Sequence, residues 1–203
     1  MTKAVLEAGT ESAVEHTAAA LPLSALAVPA SLHASLMARL DRLGASAKEV
    51  AQIGAAIGRE FSHALLAAVA SKPETALNSA VDRLIAAGLL FRQGVAPDAT
   101  YLFKHALVQD AAYGTLLRDP RRALHARIAA TLESDFAEIA ENQPEVLARH
   151  CTEAGLIEKA AELLGKAGQR SVARSALVEA VEQFMRALAQ IATLPATPAC
   201  VAS

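Results

Sequence analysis

Aromatic side chains make up only 3% of these 203 residues, and tryptophan is absent. A core with so few rings must be filled by aliphatic groups, and hydrophobic residues reach 53%, much of it alanine. Alanine favours helix and lets helices approach closely, so the composition predicts a mainly helical, all-α fold. Two cysteines, Cys151 and Cys200, exclude a disulfide framework and fit a reduced cytoplasmic protein. A net charge of −2 excludes a global basic excess for holding a polyanion. Length allows one or two domains.

Catalytic machinery is missing too. No G-x-x-x-x-G-K-[S/T] phosphate loop occurs, since Gly165-Lys166 lacks the upstream glycine and a following Ser/Thr. His16, His33, His63, His105, His125 and His150 are scattered, with no H-E-x-x-H or paired C-x-x-C, so no metal site is expected. His150 and Cys151 are neighbours, but on a helix they point about 100° apart and cannot share a proton. No catalytic residue and no cofactor is assigned. The run Ala18–Ala30 resembles a secretory segment, but Glu7, Glu11 and Glu15 against Lys3 give the wrong charge before it. It is too short to span a bilayer and contains Pro22 and Pro29.

Residues 2–8 read as the last turns of a helix closed by Gly9, which suggests a piece of a longer protein; residues 10–30 read as a linker. Helices are then predicted over 31–43, with Leu32, Leu36, Leu40 and Leu43 on one face, and from a Ser46/Glu49 capping box through Val50, Ile53, Ile57 and Phe61. Others are predicted over 62–70 and from a Ser71–Glu74 capping box to Gly88. Leu89–Gln93 and Thr100–Lys104 flank a Gly/Pro/Asp turn and predict a β-hairpin. Three helices followed by a two-stranded ribbon is the order of a winged helix.

Beyond it, Asp119 caps a predicted helix to about Ala140, with Leu124, Ile128, Leu132 and Phe136 as its stripe. Helices over 145–154, 157–172 and 176–192 follow, the last two carrying Ala160/Leu164/Ala167 and Ala180/Phe184/Ala187. That small–large–small pattern lets antiparallel helices nest as in tetratricopeptide repeats, although 20 residues between copies is short of the usual repeat of about 34. The expected organisation is 1–30 helix remnant and linker, 31–117 winged helix, 118–194 repeat-like array and 195–203 disordered tail.

His105 stands where the ribbon passes into a helix. A helix start leaves N–H groups unpaired, and an imidazole there can donate to a phosphate held by another domain. DNA binding is the alternative function for a winged helix. Eight bases against seven acids between Pro29 and Leu117 leave only +1, with Arg83 opposed by Glu74 and Asp82 on the would-be recognition helix, so nucleic acid is not favoured.

The strings Leu36-Met-Ala-Arg-Leu-Asp-Arg-Leu43, Ile57-Gly-Arg-Glu-Phe61, Tyr101-Leu-Phe-Lys-His-Ala-Leu-Val-Gln-Asp-Ala-Ala-Tyr113 and Arg149-His-Cys-Thr-Glu-Ala-Gly155 resemble a bacterial family. These are the STAND-class signal-transduction ATPases, many of them fused to class III adenylate/guanylate cyclase domains. The resemblance runs from about Thr2 to Leu194 and covers only the lid end, winged helix and tetratricopeptide-like helices. It implies a non-catalytic regulatory fragment whose partners are the ATPase domain of a longer parent and a protein bound by the array, with no membrane. It also implies that His105 matches a histidine that senses bound ADP, useful only with an ATPase domain present. The aspartate that follows in that motif is Ala106 here, and Cys151 replaces an expected aromatic.

Overall fold

The computed structural model describes residues 30–194, with side chains from His33 onward. The expected lid-helix remnant, most of the linker and the tail lie outside the described residues. The elements run α1 (Ala30–Arg42), α2 (Ala45–Ile57), β1 (Glu60–Ser62), α3 (His63–Ala70), α4 (Glu74–Ala86), β2 (Leu90–Gln93) and β3 (Thr100–Phe103). They continue with α5 (Ala106–Gly114), α6 (Arg118–Asp135), α7 (Ala137–Asn142), α8 (Pro144–Ala154), α9 (Ile157–Ala173) and α10 (Leu177–Ile191). The fold is mainly helical. Among the described residues no helix is long and apolar enough to cross a membrane.

The expected hairpin is part of a three-stranded antiparallel sheet in the order β1-β3-β2. Phe61, expected to extend the α2 stripe, sits in β1 opposite Tyr101, while Leu90 of β2 faces Phe103. A third strand solves the problem of a lone ribbon, which cannot bury enough apolar surface to stand alone. The central strand β3 turns Tyr101 and Phe103 inward, and the Phe61 ring lies 5.7 and 5.8 Å from theirs. Helix α2, β1, α3, α4, β2 and β3 together follow the chain order and sheet order of a winged helix.

Helix boundaries differ from expectation where side-chain caps were assigned. The cap position of α2 is Gly44, not Ser46, and Glu49 pairs with Lys72 at 2.8 Å instead of closing a capping box. Ser71 ends α3 in a left-handed conformation with φ 50°, and Pro73 precedes α4. Leu117, not Asp119, precedes α6, leaving Asp119 and Pro120 in the first turn. The helix expected to reach Ala140 breaks at Phe136, whose φ of −129° and ψ of 45° separate α6 from α7. Ser62 is a true cap, its hydroxyl accepting from the Leu65 amide at 3.2 Å.

From α6 onward the array is built by successive helices: α8 packs on α6, α9 on α8 and α10 on α9. Connections of two or three residues between α8, α9 and α10 force antiparallel neighbours. Ala160, Leu164 and Ala167 are buried as the nesting pattern requires, and Ala180 and Ala187 meet them from α10. One hydrophobic core runs without interruption from Leu40 through α2–α5 into α6, α8, α9 and Ala187. The winged-helix unit and the array are therefore welded through α2, α3 and α6.

Candidate functional site

Strand β3 delivers His105 to the start of α5, in extended backbone (φ −139°, ψ 142°). The side chain is exposed and makes no hydrogen bond to another described residue; its carbonyl accepts from the Val108 amide at 3.0 Å. The preceding Lys104 lies 4.9 Å above the Phe91 ring. His105 is thus open to a ligand presented from outside, and the fold gathers no second candidate residue around it. On the neighbouring wing, Arg92 is held by Asp82 at 3.2 Å, which lowers the charge α4 and the wing offer to a polyanion.

A different group of polar residues converges at the junction of α5, α6 and α8. Here the expected scatter of histidines fails, because His125 of α6 and His150 of α8 meet with Nδ1 atoms 2.9 Å apart, both buried. Arg149 Nη2 lies 3.2 Å from His150 Nε2. A guanidinium only donates, so His150 Nε2 accepts and its proton sits on Nδ1. That proton points at His125 Nδ1, which must accept, leaving the His125 proton on Nε2. His125 Nε2 lies 2.9 Å from the Tyr113 hydroxyl, which in turn donates to Glu153 Oε2 at 3.3 Å. The end groups therefore fix every tautomer in a one-directional relay, Arg149 to His150 to His125 to Tyr113 to Glu153.

Its electrostatics agree with neutral rings. Burial, reinforced by Arg149 and His125, pulls His150 down to about 3. Burial also pulls His125 down to about 4, with Glu153 opposing and Arg149 and Arg121 assisting. Burial raises the Tyr113 phenol, and Glu153 adds to the rise. Arg149 also donates to the Ile57 carbonyl at the end of α2, so the relay is anchored in the winged-helix unit at both Ile57 and Tyr113. Cys151 takes no part: it is fully buried, and burial raises its thiol. His150 bonds to His125 of α6 and to Arg149, and not to Cys151.

Two clefts open on the array, and only the second of them reaches a relay residue, Glu153. One of about 590 Å³ lies between α6, α7, α8 and α9, lined by Leu147, Leu163, Lys166 and Arg170 among others. Another of about 580 Å³ is lined by Arg118, Arg121, Arg122, Thr152 and Glu153. Two of its arginines serve helix ends, Arg121 donating to the Leu116 carbonyl at 3.0 Å and Arg122 to the Ala154 carbonyl at 3.4 Å. Among the described residues no cluster of three or more His, Cys, Asp or Glu could hold a metal.

Sequence reasoning missed the relay because its members come from three helices. One signal was present: Tyr113, Arg149, His150 and Glu153 all fall within strings that carry the family resemblance, and only His125 lies outside them.

Over 151 residues the chain is 36% identical to a protein of Rhizobium meliloti (strain 1021) described only as uncharacterized. The match takes in 74% of this chain but 14% of that much longer protein. No protein-family model matches the chain, and no solved structure matches it.

Proposed function

We propose that this chain is a non-catalytic regulatory and protein-interaction module of a STAND-type signal-transduction ATPase, with the winged helix as a clamp and the helical array as a scaffold. The relay carries this reading. It ties Ile57 and Tyr113 of the winged-helix unit to Arg149, His150 and Glu153 of the array, so that a partner on the array can move the clamp as a rigid lever. The cleft between α6 and α9 gives such a partner a place on the array. In this reading the exposed His105 meets the ADP phosphate only when an ATPase domain presents it, and the helix start behind it favours the negative charge.

The test uses the purified chain with and without an ATPase domain of that class. Alone it should neither hydrolyse nor cyclise ATP. With the domain added, ADP retention should rise, and His105→Ala should lower it about tenfold, or about 1.4 kcal/mol. ATP turnover or cyclisation by the chain alone would sink the proposal.

A further inference from the structure

Helix α10 buries a narrow stripe, Ala180 and Ala187, against α9. On the adjoining face Leu177, Val181, Phe184, Leu188 and Ile191 follow one another at steps of four, three, four and three residues, with Val178 and Met185 beside them. These seven side chains are 36% to 72% exposed. Isolated exposed leucines are ordinary, but a contiguous apolar strip on one helix marks an interaction surface. The 4–3 spacing repeats every 3.5 residues, the period at which two helices keep their apolar seams in register.

We infer that this face is the interface of an antiparallel homodimer, α10 against α10. Three observations select a second copy as the occupant. Covering these seven side chains completely would remove roughly 800 Å², as much as one partner's share of a standard stable interface. The seam is self-complementary: read from either end it places aliphatic groups on both sides of a central Phe184, so an inverted copy matches aliphatic to aliphatic. No charge lies in the seam; Glu179 and Glu182 fall on the outer side of the N-terminal half and Arg186 on that of the C-terminal half. These charges point away from the seam and leave it dry, and antiparallel packing opposes the two helix dipoles, whereas parallel packing aligns them. This inference is independent of the clamp reading, which concerns the winged helix and the inner cleft.

Sedimentation of the full chain over a concentration series tests it. The expected mass rises to twice the 21.1 kDa of one chain. Leu177→Glu and Ile191→Lys should each restore the single mass with unchanged helical circular dichroism, since an acid at a helix start and a base at its end favour the helix itself. Mixed together, those two variants should dimerise again, because residue 177 of one copy meets 191 of the other. Arg186→Ala, outside the seam, should change the dissociation constant less than about threefold. A single mass at every concentration, a dimer that survives the seam substitutions, or variants that fail to re-associate on mixing would each overturn the inference.

Discussion

The same local device appears at the two ends of this molecule with different surroundings. In α2, a Cβ on Gly54 would lie 2.5 Å from the Phe61 ring; in α9, a Cβ on Gly168 would lie 2.6 Å from the Phe184 ring. Each glycine lets a phenylalanine lie flat on helix backbone. Phe61 is 3% exposed and walled in by Tyr101 and Phe103, while Phe184 is 36% exposed at the edge of α10. The first ring is clamped from all sides and the second from one. Tightness therefore falls along the chain, from a closed core in the winged-helix unit to an open margin at α10.

Substitutions can break or sharpen that contrast. Phe61→Ala should produce the largest loss, about 3–5 kcal/mol, read from urea unfolding midpoints. Acid should come next, through the relay that joins the two regions. His125 and His150 titrate at about 4 and about 3 in the fold, below the ordinary 6.5, so the unfolded chain takes up their protons first. Their contribution is complete above pH 6.5 and is lost as pH falls toward 3. At pH 5 the loss is about 2 kcal/mol per histidine, and His125→Gln should reduce the difference between midpoints at pH 7 and pH 5. Gly54→Ala should cost about 1–3 kcal/mol, because the Phe61 ring has nowhere to go. Measured at concentrations where the chain is single, Gly168→Ala should stay within about 0.5 kcal/mol of wild type, since Phe184 can then swing outward while alanine improves the helix. An equal cost at both glycines would erase the comparison.

Legibility in sequence divides along the same physical line. Long helices announced themselves through spacing, as with Leu124, Ile128 and Leu132, all buried as read. Strand β1 did not, because three residues cannot show an alternation and Phe61 also fits four residues after Ile57. Caps misled at Ser46, Ser71 and Asp119, because α2, α4 and α6 start from Gly44, Pro73 and Leu117 with no side-chain cap. The relay was hidden for another reason. Tyr113, His125 and His150 are separated by 12 and 25 residues, and only the packing of α6 on α8, with Tyr113 reaching in from α5, brings them within hydrogen-bond distance. His105, by contrast, was legible as a helix-start residue because strand and helix signals meet there, and it does precede α5.

The Cys151 thiol is fully buried on α8 and its ionisation is suppressed by that burial. Only a thiolate attacks a disulfide reagent, so this side chain is silent while α8 stays seated. Modification at this position, followed by mass spectrometry of the peptide that carries it, would time each excursion in which α8 lifts away. The protein thus carries its own internal clock for the loosening of the array, with no residue to substitute.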